Sequence, residues 1–317
     1  MSDLLFSVDA TLPVFLVMVA GWLLGRRGFL PRSFCAAADK LVFKVTLPVM
    51  LFRDMAELDL QKDFQPRYVL FCAAATAAGI LAVWGFARLA LPDKSLVGEF
   101  VQCSYRSSAA ILGVAFIQNM YGTSGMAPVM ILGSVPLFNI FAVAVLTLEN
   151  PRRAPGGLRG SAAAVARGIV TNPIILGIAA GTLYSALPFG LPVLADKTLS
   201  TLGSLTTPLA LLSIGAGFEG AKAIRKLVPT LLAAACKLVV LAAVFLPVAV
   251  RLGFRNQELI ALLIMLGSPT TPTSYVMAKA MGHEGVLSAS CVAATTLLSA
   301  FTLTGWIFLL KTAGWIV

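Results

Sequence analysis

Hydrophobic positions along this chain gather into long runs separated by short polar stretches. Ten of them reach the roughly 17–25 residues that a helix needs to cross a hydrocarbon core of about 30 Å. They cover roughly 9–26, 34–56, 67–91, 98–120, 126–148, 163–187, 193–217, 228–250, 258–281 and 286–314. The pattern predicts an all-α polytopic membrane protein with ten transmembrane helices. The longest polar connection, Glu149 to Arg167, holds Asn150-Pro151-Arg152-Arg153-Ala154-Pro155-Gly156-Gly157, a loop by its turn residues and charge. It separates an N-terminal half, 1–150, from a C-terminal half, 161–317, with five runs in each.

The halves resemble each other. Leu12-Pro13 with Gly21 matches Asn172-Pro173 with Gly181, both at an offset of 160 residues. Ala38-Asp39-Lys40 recurs as Ala195-Asp196-Lys197, and Pro48 has Pro208 as its counterpart. At the far ends, Tyr121-Gly122-Thr123-Ser124-Gly125 lies opposite Met281-Gly282-His283-Glu284-Gly285. Because five is odd, the second half must enter the membrane upside down, which makes two inverted five-helix repeats.

The ninth run is interrupted by Gly267-Ser268-Pro269-Thr270-Thr271-Pro272-Thr273. Each proline removes a backbone donor and clashes with the preceding turn, so a helix cannot pass unbroken through both. Backbone groups freed in hydrocarbon cost several kcal/mol each, and such a break survives only where it lines an internal cavity. Moving back 160 residues from Ser268 reaches Ser108, in Tyr105-Arg106-Ser107-Ser108. Here no proline is present, and a break rests on the serine pair and Gly113. Both stretches fall near mid-span, so spans 4 and 9 are expected to be broken and to cross. Half-helix N-termini at such a crossing favour an anion. The hydroxyls of Ser107, Ser108, Ser268, Thr270, Thr271 and Thr273 and the charge of Arg106 suit a carboxylate. Thr46 and Thr207, beside Pro48 and Pro208, either wall the same pocket or merely flank scaffold kinks.

Composition narrows the class. The chain of 317 residues is 58% hydrophobic and 12% charged, against roughly 25% charged in ordinary soluble domains, and its mean hydropathy is +0.90. The first ten residues contain no Lys or Arg, unlike a cleaved signal, so the first run is expected to be retained. The net charge of +10 is scattered through short loops, a positive-inside pattern rather than a nucleic-acid surface. Twelve Lys and Arg follow spans 1, 3, 5 and 7 and seven lie on the other side, which places both termini outside. With one histidine and no CxxC, neither a metal centre nor a cofactor is expected.

Five basic residues lie within apolar runs: Lys40, Lys44, Arg106, Lys237 and Lys279. Arg106 has two readings, ligand contact or snorkelling to the surface. Lys44 and Lys237 suit pairing with a carboxylate, with a carbonyl at a broken helix, or with substrate. Asp39 and Lys40 read as a structural pair. Lys279, His283 and Glu284 read as solvated groups at the cytoplasmic end.

Leu12-Pro13 with Gly21, Leu41-Val42-Phe43-Lys44-Val45-Thr46-Leu47-Pro48, the segment from Ser268-Pro269 to Lys279, and Thr295-Thr296-Leu297-Leu298-Ser299 resemble the auxin efflux carrier family. That family is related to the plant PIN-FORMED carriers. The resemblance implies a scaffold from 9–56 and 163–221, often dimeric, and a moving transport domain from 66–148 and 228–315. It also implies a compact prokaryotic form in the bacterial inner membrane that carries malonate or similar carboxylates. Where the family usually has Asn, Gly and Pro in helix 4, this chain has Ser108, Gly113 and Ala115. The expected function is thus a secondary transporter of small organic anions, with a membrane receptor for an organic acid or an anion channel as alternatives. An intramembrane enzyme is disfavoured, since no nucleophile is paired with a base.

Overall fold

The computed structural model describes residues 2–58, 65–122, 125–151 and 158–316, and among these every regular element is helical. The expected loop residues Lys62, Thr123, Ser124, Arg152 and Arg153 lie outside the described residues.

Helix α1 (Ser2–Arg26) passes through Pro13 unbroken. The second run folds as α2 (Arg32–Leu41), a π-helical turn (Val42–Thr46) and α3 (Leu47–Ala56). Helix α4 (Pro66–Ala90) opens on a proline, tolerated there because the first turn leaves its N–H groups unpaired anyway. The fourth run splits into α5 (Val97–Tyr105) and α6 (Ala109–Tyr121), and α7 (Ala127–Leu148) follows. The sixth run is α8 (Leu158–Thr171) and α9 (Pro173–Ser185), bent by 59°. Next come α10 (Val193–Ser204), α11 (Thr206–Ala216) and the short α12 (Gly220–Arg225). The eighth run is α13 (Leu227–Ala235), a second π-helical turn (Cys236–Val240) and α14 (Leu241–Arg251). The ninth splits into α15 (Gln257–Gly267) and α16 (Thr273–Ala280), before α17 (Val286–Thr312).

By length and composition, five helical segments suffice to cross a membrane: Pro66–Ala90, Ala127–Leu148, Val193–Ala216, Leu227–Arg251 and Val286–Thr312. The bent α8–α9 pair makes a sixth. The fourth and ninth runs fall short of that test because their helices are interrupted. Gly113, expected to help break the fourth run, lies inside α6 instead, one turn past the actual interruption at Arg106–Ser108.

Two prolines at matching positions behave differently. Pro13 leaves α1 straight through, whereas Asn172 accepts the Ile174 N–H at 2.9 Å and caps α9, so the chain turns before Pro173. Leu12, at the position of Asn172, has no side chain able to make that cap.

The helices pack in a pattern that repeats itself. Helix α1 lies along α11 and α3 along α9; α4 packs on α7 and α13 on α17. Close approach needs small residues. A Cβ on Gly21 would stand 2.5 Å from the Leu212 carbonyl oxygen, and one on Gly181 would stand 2.3 Å from that of Phe52. Any side chain at either glycine would push the helix pair apart.

All nine residues of α5 are buried, as is α15 from Leu259 to Gly267. Helix α15 is apolar on every face, as an interior helix should be, and α5 is buried although it carries Glu99 and Gln102; the two deliver the interrupted segments into the interior. Around the outside, Leu16, Leu70, Leu89, Leu183, Phe301 and Phe308 remain exposed, an apolar surface that water alone would not tolerate.

Candidate functional site

The two interruptions meet. Helix α5 ends at Tyr105, Arg106 turns extended (φ −68°, ψ 133°), and Ser108 leads into α6. The Ser108 N–H donates to the Pro269 carbonyl at 3.1 Å, a backbone hydrogen bond between the breaks. In the other interruption, the Thr270 N–H donates to Thr295 Oγ1 of α17 at 3.1 Å. Thr270 and Ser274 share a hydroxyl contact of 3.2 Å, and the Thr273 hydroxyl donates to Thr271 Oγ1 at 3.2 Å. Side chains and tertiary contacts thus replace the helical bonds that the breaks remove.

Arg106 is 4% exposed, so it does not snorkel. Its Nη2 donates to Asn139 Oδ1 at 2.7 Å and its Nη1 contacts Met277 Sδ at 2.9 Å. Asn139 is held in turn by its own Nδ2 donating to the Val135 carbonyl at 2.9 Å. Among the described residues no carboxylate pairs with this guanidinium. A buried charge without a counter-ion is costly, and an amide oxygen and a thioether offset only part of that cost. The buried hydroxyl of the neighbouring Ser107, that of Ser268 in the other interruption, and Gln102 Oε1 one turn earlier have no hydrogen-bond partner.

Two small cavities flank the meeting of the two interruptions, each of about 50 Å³, with Ser108 in the wall of both. One is lined by Arg106, Ser107, Asn139, Thr271 and Thr273 together with Leu47 and Met50. The other is lined by Thr207, Pro269, Thr270, Pro272, Thr11 and Thr296. Each has room for a few water molecules.

Most of the expected residues therefore wall these two cavities; Ser268, Thr46, Lys44 and Lys237 do not, and Gly113 lies within α6. Thr46 is buried and its hydroxyl accepts a hydrogen bond from Thr206 at 2.9 Å, a threonine pair separated by 160 residues. Lys44 is exposed on the first π-helical turn. Lys237, on the second, is fully buried, and its Nζ reaches the carbonyls of Met265 and Leu266 at 3.1 and 2.8 Å.

Other expectations need correction. Asp39 does not pair with the exposed Lys40; its Oδ1 accepts a hydrogen bond from Ser213 at 2.6 Å across α11. His283 is buried rather than solvated, with Nε2 3.0 Å from the Leu146 carbonyl. Sequence reasoning also passed over Glu99 and Asn139. Glu99 is 1% exposed and accepts Gly285 N–H at 2.8 Å, Ser288 N–H at 2.9 Å and the Ser288 hydroxyl at 2.9 Å, capping α17 from another helix. Asn139 had a signal, a lone amide in an apolar run, where intramembrane polar residues tend to be functional.

At one end of the molecule lies a larger cavity of about 230 Å³, with a charged rim. Arg32 pairs with Glu219 at 3.5 Å, Lys222 with Glu219 at 2.9 Å and with Glu284 at 3.5 Å, and Lys226 also bonds Glu284. The hydrogen bond from Lys226 holds the Glu284 carboxyl below the usual carboxylate range, and that from Lys222 does the same for Glu219.

An all-helical body among the described residues, with membrane-length apolar helices, is that of a multi-pass membrane protein. The chain belongs to the membrane transport protein family, whose model matches residues 6–307, the family of the auxin efflux carriers that its motifs resemble. It is also similar to an uncharacterized transporter of Methanothermobacter thermautotrophicus (strain Delta H), 19% identical over 305 residues that cover 95% of this chain and 97% of the relative.

Proposed function

We propose that this protein is a secondary carrier of small organic carboxylates, malonate among them, that works by alternating access. The observation that carries the reading is Arg106, a buried cation with no carboxylate partner among the described residues, beside the buried and unpartnered hydroxyl of Ser107. A carboxylate is what that set lacks: it would accept from the guanidinium and from Ser107, which line one cavity. The small cavities fit a closed state around the crossing, so loading requires the walls to part.

The architecture we propose is ten transmembrane helices in two inverted repeats, with spans 4 and 9 broken and crossed. Its support is the 160-residue relation itself: Gly21 against Leu212 mirrors Gly181 against Phe52, and Thr46 meets Thr206. A scaffold of 9–56 and 163–221 would stay fixed, dimeric through its exposed faces. A transport domain of 66–148 and 228–315 would rock against it. The Lys222–Glu284 pair then ties the segment that leaves the scaffold to the transport domain at the cytoplasmic rim, with both termini outside a bacterial inner membrane.

Uptake of labelled malonate and other dicarboxylates into proteoliposomes tests this reading. Saturable flux that disappears in Arg106→Gln is expected. The proposal fails if no carboxylate produces either flux or thermal stabilisation of the purified protein. Stabilisation without flux would make the protein a receptor, and flux that does not saturate would make it a channel.

A further inference from the structure

Lys237 has no part in the anion reading, yet it is among the largest fully buried side chains of the molecule. The two carbonyls it reaches are special for a reason that can be traced residue by residue. In an unbroken α15, the Met265 carbonyl would accept the N–H of residue 269 and the Leu266 carbonyl that of residue 270. Residue 269 is Pro269, which has no N–H. The Thr270 N–H is turned away to Thr295 Oγ1. Both carbonyls are thus left over at the C-terminal end of a half-helix, where partial negative charge collects. Ile264, one residue earlier, keeps its helical bond from the Ser268 N–H at 3.2 Å.

The ammonium satisfies the two orphans at 3.1 and 2.8 Å. Among the described residues no carboxylate accompanies it, so backbone oxygens are the groups that hold the charge. The π-helical turn that carries Lys237 is itself braced, with Trp306 Nε1 donating to the Leu238 carbonyl at 3.0 Å. Carbonyls at half-helix C-termini beside unwound backbone are where carriers built from broken helices hold a coupling cation. A bare monovalent cation and a lysine ammonium make the same demand, one positive charge surrounded by oxygen lone pairs.

We infer that Lys237 is a tethered substitute for a coupling cation. It permanently fills a monovalent-cation site formed by the Met265 and Leu266 carbonyls, so the protein cycles without taking Na⁺ there. Removing the ammonium uncovers the site.

Thermal-shift measurements on the purified full-length protein test this without any substrate, and so independently of the carboxylate reading. Na⁺, K⁺ and Li⁺ are compared with choline at constant ionic strength. Wild type should show no specific response. Lys237→Ala should melt lower in choline and regain stability saturably in Na⁺, by roughly 2–4 °C. Lys237→Met, whose unbranched chain occupies the vacated space, should melt lower and stay unresponsive. Ethylammonium, which restores the missing group, should rescue Lys237→Ala alongside Na⁺. Three results would overturn the inference. These are a saturable Na⁺ response in wild type, a Lys237→Ala protein rescued by ethylammonium alone or by nothing, and a Lys237→Ala protein not recovered folded in any of these salts. Each would make Lys237 a helix cap and no more.

Discussion

The two interrupted segments reach the same geometry by different chemistry. The one at Ser268–Pro272 is broken by its own covalent structure: Pro269 cannot donate to Met265, and Pro272 starts α16. The one at Arg106–Ser108 has no proline, and no residue in it forbids a helix. It is held open from outside, by Pro269 taking the Ser108 N–H and by Asn139 and Met277 taking the Arg106 side chain. One break is therefore intrinsic and satisfied in its hydrogen bonds, since Lys237 meets its orphan carbonyls. The other is imposed and unbalanced, since it places a lone cation at the crossing. A molecule that must bind and release an anion benefits from this division, because the fixed break supplies the frame and the unbalanced one supplies the need for a ligand.

The largest effect should come from removing the unbalanced charge. Arg106→Ala should weaken carboxylate binding by about 100-fold, whereas Lys279→Ala, an exposed residue, should change it by less than about threefold. Titrations of both variants by thermal shift decide the point, and equal losses would remove Arg106 from the site.

Next is the intrinsic break. Pro269→Ala combined with Pro272→Ala restores donors along α15 and removes the steric stop, so the helix should extend and uptake should fall about tenfold. Ser107→Ala with Ser108→Ala leaves the contacts of the imposed break in place, since Ser108 acts there through its backbone N–H. Helix content by circular dichroism should rise in the first variant and stay constant in the second; the reverse would invert the comparison.

A smaller effect, of opposite sign in stability and binding, is expected for the unpartnered hydroxyl. Ser107→Ala removes a buried oxygen that lacks a partner, and should stabilise the empty protein by about 1 kcal/mol while weakening carboxylate binding severalfold. Denaturation with and without malonate separates the two outcomes.

The smallest effect belongs to the rim. The folded-state pKa of Glu284 lies below its unfolded value, so its contribution is present above the ordinary carboxylate pKa and is lost as pH falls through the lowered one. Glu284→Gln should lower Tm at pH 7 by about 1 °C, with a smaller difference at high salt and none once acid has protonated the wild-type carboxylate. An unchanged difference in 1 M salt would show that the rim is not electrostatic.

Several features were legible before any coordinates. The ten apolar runs are largely helical over their described residues, apart from the interruptions in the fourth, sixth and ninth, because hydrophobic length is a local property. The second break was legible for the same reason, since proline's missing donor belongs to the residue and not to its surroundings. The first break was only half legible. The serine pair marked its position, but Gly113, read as its cause, sits within α6. The likeness of Pro13 to Pro173 hid a difference made by one neighbour, because Asn172 caps a helix and Leu12 cannot.

The sequence alone thus determined that the chain is a bundle of membrane-length apolar helices with a proline-broken segment, because those outcomes follow from hydropathy and from covalent chemistry. Only the tertiary structure decided which buried polar groups are satisfied. It gave Lys237 to the carbonyls that Pro269 orphans, Glu99 to the start of α17, and Arg106 to an amide and a thioether with no counter-charge. Partners of that kind come from residues distant in sequence, and whether a charge is matched or left wanting depends on which ones folding brings within hydrogen-bond reach.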